Sequence, residues 1–481
     1  MNEILVNAEM QEKRVATVKN GVLDEYYIEH PSDRTIVGNI YKGRIDSIVP
    51  SIGAAFVDIG MEKKGFLYLT DIVEPIEPIA PVEHKKREFK KGEEVLVQVV
   101  KEPISTKGPR LTTHIGLAGR YLVLMPQDSH RGLSRRIEDR AERQRLLGLL
   151  EEVKVPTEIG YIIRTVAIGK DIRQLKRDVL FLLKLWAKIR SFSEKNKAPA
   201  LIYEDYDIVL RVIRDSFSDE IDKLIVDSKD EFRRLHQFLS VFSQELIKKI
   251  EFYKETAPLF SAKNIERQID KIYESKIFMK SGAYLIIEPT EGLVVIDVNS
   301  GRFRRKSNPE QMALAVNSEA AREAARQLRL RDLGGIIVID FIDMEREEHR
   351  REVLRVLKHS LKDDKAKYEI LGISKFGLIE MTRERVYRTI ESLSYNDCPY
   401  CRGRGKIKSV STMAIWTLKE LKRMILESPG RKELQVSANP EVINHLLRES
   451  EKSIEMLEKR YRLKIGFTLA PHAHIEEVKI V

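Results

Sequence analysis

Two apolar runs, Val294-Val-Ile-Asp-Val-Asn-Ser300 and Gly334-Gly-Ile-Ile-Val-Ile-Asp-Phe-Ile-Asp343, each reach a carboxylate, and a helical stretch over Pro309–Leu333 separates them. A strand, a helix and a strand in this order pack as a crossover unit whose two strands lie parallel. As neighbours, those strands bring Asp297 and Asp340 to the same edge of the sheet, where ligands bind in α/β folds. Carboxylates about one strand spacing (~4.8 Å) apart repel unless they share a cation or a proton, which suits Mg2+ held by oxygen ligands with waters left on it. Asn299, two residues on, points the same way as Asp297 and is placed to orient a ligand, a water or a phosphate. Asp343 falls out of phase with Asp340 and is expected on the other face. The bland alternative makes these strand-end Asp residues turns or caps. It accounts poorly for two of them at equivalent ends.

Other chemistries lose support from what is missing. There is no phosphate-cradling Gly-x-x-x-x-Gly-Lys-Ser/Thr loop, no dinucleotide Gly-x-Gly-x-x-Gly after a strand and no Gly-x-Ser-x-Gly elbow. The 10 histidines are scattered and none falls in the two Asp strands, which favours a metal-activated water as nucleophile.

At 481 residues, with 42% hydrophobic and 33% charged positions, the chain has material for several cores and a wet surface. Its 84 basic against 74 acidic side chains leave +10, a weak bias toward polyanions. The N-terminus lacks a signal-like apolar core and no stretch is long enough to span a membrane. The 2 cysteines share one Cys-x-x-Cys, which fits a reducing compartment and a cytoplasmic address.

The chain opens with alternating runs at Ile4–Ala8, Arg14–Lys19 and Val22–Ile28, a β-meander with too little apolar surface to fold alone. Strand-like runs with Gly-marked corners then follow between Gly38 and Ile115, broken by a Pro- and Lys-rich insertion at Val73–Lys91, and suggest a small five-stranded closed barrel. Tyr41, Phe56, Phe66 and Tyr68 recur there beside Lys42, Arg44, Lys63, Lys64 and Lys107. Rings that stack bases and cations that track phosphates hold single-stranded nucleic acid; the alternative is that some rings are core. Gly43-Arg-Ile-Asp-Ser-Ile, Gly53-Ala-Ala-Phe-Val-Asp-Ile-Gly60, Gly65-Phe-Leu and Gly92-Glu-Glu-Val-Leu-Val-Gln-Val resemble, in order and spacing, the S1 RNA-binding domain.

Helices are expected at Ile137–Val153 and Ile172–Glu194, with Arg164-Thr165 after a strand between them. As a dipeptide that pair says little. Cys398-Pro-Tyr-Cys401 reads three ways: as a redox pair, as a zinc half-site in the knuckle Cys-x-x-Cys-x-Gly-x-Gly, or as an unmetallated spectator pair. The loop-like context favours zinc. With no other cysteine in the chain, the simplest four-thiolate site spans a two-fold dimer. Beyond it, Val410–Glu427, Pro440–Leu447 and Ile454–Tyr461 read as helices in a small α+β unit.

Taken together, the barrel strings, the Asp pair, Arg329-Leu-Arg-Asp-Leu-Gly-Gly335, Asp340-Phe-Ile-Asp-Met344 and the knuckle, in this order, resemble the ribonuclease E/G family from Ile4 to at least Lys408. The resemblance implies an α/β multidomain fold: a split RNase H-like subdomain (1–37 and 205–276), an inserted S1/OB barrel (38–116) and a 5′-sensor subdomain (117–204). A DNase I-like α/β catalytic subdomain (277–394), a zinc knuckle (395–408) and a small α+β C-terminal domain (409–481) complete it. It further implies a Mg2+-dependent, single-strand-specific endoribonuclease of rRNA and mRNA processing and decay, leaving 5′-phosphate and 3′-hydroxyl ends. Asp297 and Asp340 match the metal-binding carboxylates, Asn299 the supporting Asn, and Gly119, Val123, Arg164 and Thr165 the pocket that senses a 5′-monophosphate. Phe56, Phe66 and Lys107 match the RNA-gripping residues, to which Tyr41 is added from its place in the barrel. Cys398 and Cys401 match a Zn2+ link between protomers of a homodimer or dimer of dimers. The length suggests a member without the long C-terminal scaffold that recruits degradosome partners. Residues 302–308 are unusually basic, which suggests an altered grip on substrate. The rival is a non-catalytic, zinc-linked RNA escort protein.

Overall fold

The computed structural model describes residues 1–8, 12–31, 34–69, 90–103, 107–290, 292–303, 308–362, 364–374, 377–385, 390, 394–428 and 430–481. Most of the insertion at Val73–Lys91 and residues 304–307 of the basic stretch lie outside them. The chain forms two compact units, 1–393 and 394–481.

In the first unit the opening meander is completed by chain more than 200 residues away. Asn2–Asn7 pairs antiparallel with Lys13–Lys19, which pairs with Val22–Glu29; on its other side it runs parallel to Lys223–Val226, itself parallel to Ile250–Phe252. Ile4, Val6 and Val15 face the helices Ile208–Ser216 and Lys229–Phe242, while Leu5, Ala16 and Val18 pack with Phe260 and Ile265 on the opposite face. Both faces are therefore covered by residues that the first 30 do not contain.

The barrel strands run in the order Ile40–Val49, Ala54–Asp58, Gly65–Tyr68, Arg110–Thr112 and Glu94–Lys101, and pairing of the last with the first closes the cylinder. Ile45, Val57, Leu67, Val97 and Leu111 fill it. Ala200–Tyr203 adds to the outside of Ile40–Val49 and extends the barrel sheet by one strand. A third, four-stranded sheet takes Leu117–Ala118, Leu122–Met125, Gly160–Ile163 and Arg131–Leu133, and packs on the helices Arg140–Val153 and Ile172–Lys195.

The sheet that carries the Asp pair has the order Lys276–Phe278, Tyr284–Pro289, Leu293–Asn299, Gly335–Asp340, Leu378–Arg383, Tyr368–Ile373. Pro309–Leu330 crosses over between the parallel pair, begun by the Asn308 side chain accepting from Glu310 N and by Pro309 in the first turn. Its stripe of Ala313, Ala320, Ala321, Ala324 and Ala325 lets it lie close against one sheet face, beside Glu347–Ser360. The helix stops at Leu330, short of the expected Leu333, because Asp332 adopts a left-handed backbone (φ +47°).

In the second unit Glu433–Ala438 is parallel to Lys464–Leu469 and antiparallel to Val478–Ile480, with Val410–Glu427, Pro440–Glu449 and Glu451–Tyr461 packed on this sheet. The three-residue edge strand is too short to show in the sequence pattern. Among the described residues no helix is long and apolar enough to cross a membrane.

Candidate active site and nucleic-acid interface

Alternation decides what the catalytic-sheet strands present. Val294, Ile296 and Val298 are buried against the helices, as are Ile337 and Ile339, so Asp297, Asn299 and Asp340 project from the uncovered face. Asp297 and Asp340 are direct register partners, with Cα atoms abreast in neighbouring parallel strands. Asn299 Nδ2 donates to Asp297 Oδ2 at 2.7 Å and fixes that carboxylate. Partial loss of solvent, then the negative charges of Asp297 and Asp343, raise the Asp340 carboxyl above its ordinary value. Asp343, three positions on, is near enough for its charge to act on Asp340. The strand ends at Asp340, so the two-residue period no longer applies there.

The segment after Asp340 is held by a residue that the motifs pass over. Asn317, fully buried in the crossover helix, donates to the Ile342 carbonyl at 2.7 Å and accepts from Ile342 N at 3.0 Å. Glu310, nearer the helix start, accepts from the backbone N–H groups of Glu345 and Arg346. The signal in the sequence is an amide among the Ala and Val positions of the helix's buried stripe, where a buried polar group needs a partner.

On the barrel, Phe56 and Phe66 are register partners whose rings meet edge-on at 5.8 Å, and Tyr68 extends the row at 4.9 Å from Phe66 with Arg110 stacked over it. Lys107 is exposed. Tyr41 is different: only 8% exposed, it lies in the barrel core among Ile45, Val57 and Val97, so its ring is packing and not stacking surface. Lys42 and Arg44 are also engaged elsewhere. Lys42 donates to the carbonyls of Ser193 and Asn196, Arg44 to that of Ala198, and both pair with Glu94.

Val123 lies in the third sheet, Gly119 and Arg164 directly follow two of its strands, and Thr165 opens the single turn Thr165–Ala167 that comes next. Val123 pairs with Ala118 and Ile162, and Arg164 donates from its backbone to Tyr121 O and from Nη1 to Gly119 O at 2.8 Å. A β-carbon on Gly119 would lie 2.5 Å from Asp178 Oδ2, because the buried Asp178 carboxylate accepts the N–H groups of Arg120, Tyr121 and Leu122. Asp215 meets Arg164 Nη2 at 2.7 Å. Burial opposes ionisation of Asp215, but Arg164 and Arg214 hold its carboxyl well below the usual range.

In the second unit Cys398 is exposed and Cys401 half-buried, both as free thiols. The backbone folds back on the pair: Arg402 N donates to Cys398 O at 2.7 Å and Gly405 N to Cys401 Sγ at 3.3 Å. Hydrogen bonds from the Cys401 and Tyr400 backbone and the Cys401 thiol lower the Cys398 thiol. The helix Val410–Glu427, capped by Ser409, begins well after the pair, so neither thiol occupies the helix N-terminus that a redox site uses. Among the described residues no three His, Cys, Asp or Glu side chains gather into a metal-holding group.

Residues 116–386 match the model of the Ribonuclease E/G family, 34–113 that of the S1 RNA binding domain, and 397–481 that of the RNase E/G thioredoxin-like domain. Ribonuclease G of Escherichia coli K12 is 39% identical over 486 residues, spanning 100% of this chain and 99% of that protein. Ribonuclease G of Haemophilus influenzae is 40% identical over 455 residues, 93% of this chain and 92% of the relative. Ribonuclease E of the same species is 38% identical over 482 residues, 99% of this chain but 51% of its own length.

Proposed function

The chain belongs to the ribonuclease E/G family and is an endoribonuclease with an S1 RNA-binding barrel, and from that premise we propose that it cuts single-stranded RNA at the Asp297–Asp340 pair. The observation that carries this reading is their shared register on the uncovered sheet face, with Asn299 bonded to Asp297.

The donor pair fits Mg2+: two carboxylates abreast, and a raised Asp340 carboxyl that a divalent cation would relieve, with the remaining positions left to water and substrate oxygens. Asp297 and Asp340 would hold the ion, which when bound supplies an activated water and neutralises charge developing on the phosphate. Asn299 keeps the Asp297 carboxylate in orientation. Phe56, Phe66 and Tyr68 stack bases, and Lys107 meets the backbone. The Arg164 fork, anchored at Gly119 and Asp215 without using all its donors, takes a 5′-monophosphate together with the Thr165 hydroxyl. The products are 5′-phosphate and 3′-hydroxyl ends, and the substrates rRNA precursors and mRNA in the cytoplasm.

We read the domains as the family resemblance implies, with an RNase H-like subdomain over 1–37 and 205–276 supported by the parallel pairing of Asn2–Asn7 with Lys223–Val226. Cys398 and Cys401, two ligands on a turn that presents N–H groups to sulfur, fit half of a Zn2+ site that a second copy completes. Zinc at one ion per two chains, with dimers lost to a chelator, tests this.

Cleavage of a short RNA bearing 5′-monophosphate or 5′-hydroxyl, with Mg2+ or EDTA, tests the main reading. Mg2+-dependent cutting, faster on the monophosphate and absent in Asp297→Asn and Asp340→Asn while RNA still binds, is expected. Cutting by Asp340→Asn at the parental rate would overturn it.

A further inference from the structure

The uncovered face of the catalytic sheet carries more than carboxylates. Direct partners across a sheet share a face, so the register places Phe278, Tyr284 and Asn299 in one row, with Lys276, Ile286, Asp297 and Asp340 in the next. The alternate row of Ile277, Leu285 and Val298 is buried against the helices, which fixes the first two rows on the open side.

On that side Phe278 is 68% exposed. Its ring lies 5.8 Å from that of Tyr284 at an interplanar angle of 57°. The Lys276 ammonium sits 3.8 Å from the Tyr284 centroid and 5.1 Å from that of Phe278. A turn holds Tyr284 in place. Gly301 has φ +53°, and a β-carbon there would come within 2.5 Å of Gly282 O and 3.1 Å of the Tyr284 ring.

An exposed Phe alone needs no explanation. Two aromatic rings and a cation aligned on one face, ending one strand from Asn299, repeat the stacking-plus-cation chemistry by which barrels hold single strands. Phe278, on the edge strand, lies two strand spacings from Asn299 with Tyr284 between them, on the order of 10 Å, a reach suited to a nucleotide next to the phosphate being cut.

We propose that Lys276, Phe278 and Tyr284 form a second RNA-binding platform, separate from the S1 barrel, which stacks the base flanking the scissile phosphate while Lys276 meets its phosphate. The proposal rests on Asp297 and Asp340 marking the cleavage point. Its role is to position substrate, and it sets which base is tolerated beside the cut.

The test uses the full chain in an Asp297→Asn background and measures Kd for a short single-stranded RNA with one cleavage site, intact or with an abasic nucleotide at each position around that site. Phe278→Ala should weaken binding of the intact RNA about 5- to 100-fold, and Phe278→Trp should restore it. One abasic RNA, flanking the cut, should bind the Phe278→Ala and parental platforms equally. Lys276→Gln should flatten the salt dependence by about one phosphate contact. If Phe278→Ala perturbs folding, Phe278→Leu keeps the apolar volume without a ring face and should show the same loss. Unchanged affinity in both variants, or an equal Phe278→Ala loss with every abasic RNA, would overturn the platform. Cutting by the Asp297→Asn protein would instead overturn the cleavage-site reading, while the Kd pattern still judges the platform.

Discussion

Asn317 and Ile342 exchange two hydrogen bonds, at 2.7 and 3.0 Å, and so clamp the backbone two residues beyond Asp340 to the crossover helix. The clamp joins the helix that builds the parallel pair to the segment that carries Asp340 and Asp343. Losing the amide would leave two orphaned backbone groups in a buried place.

Replacing Asn317 with Leu should therefore cost about 1–3 kcal/mol of stability, the desolvation penalty of groups left unpaired. Its effect on cleavage should exceed what the stability loss explains. The carboxylates keep their identity but lose their alignment, so kcat is expected to fall about 10- to 100-fold with KM little changed. Single-turnover cleavage alongside thermal melting checks this. Asn317→Asp, which can still accept from Ile342 N, should fall between Leu and the parent.

The barrel supplies a paired contrast. Phe66→Ala removes a half-buried ring of the stacking row and should weaken RNA binding by about 1–3 kcal/mol while lowering the melting temperature far less than a core truncation does. Tyr41→Ala empties a core position and should destabilise the fold by roughly 3–5 kcal/mol, reducing RNA binding only as far as the barrel unfolds. Fluorescence titration and calorimetry on the two variants separate the roles.

At the proposed 5′ pocket, Arg164→Gln removes the guanidinium fork, with its contacts to Gly119 O and Asp215, while Arg214 still pairs with Asp215. The advantage of monophosphorylated over hydroxyl-ended RNA should drop about 10- to 100-fold, the worth of a charge-assisted contact, while hydroxyl-ended RNA is cut as before. Comparing initial rates on the two RNAs measures it.

How far these features were legible in the sequence depends on where each residue's partner lies. The Asp pair was legible because its logic is local: alternation along each strand and one crossover between them. Tyr41 was not. Ile40 faces the third-sheet core and Tyr41 the barrel core, so both faces of that strand are covered, and the cover over Ile40 comes from residues such as Leu122 and Leu182, far along the chain. Lys42 and Arg44 read as free cations for the same reason, since the carbonyls that bind them end a distant helix.

Asp24 and Arg329 connect the opening meander to the end of the crossover helix at 2.8 Å, and Arg329 also donates to Ser360 O. Burial alone would raise the Asp24 carboxyl, but Arg329 and Lys19 outweigh it and hold the carboxyl below its ordinary value. A folded-state value lower than the unfolded one means the ionised form stabilises the native state. That contribution is complete above the unfolded value of about 3.9 and is lost as the pH falls through the lower folded value. Asp24→Asn should thus cost about 1.5–3 kcal/mol near neutral pH, the worth of a hydrogen bond to a charged group. The gap to the parent should narrow as the parent's own carboxylate protonates in acid. Urea unfolding of both proteins between neutral pH and about pH 3 reads this directly; a gap that stays constant with pH would mean that the pair contributes packing and no charge interaction.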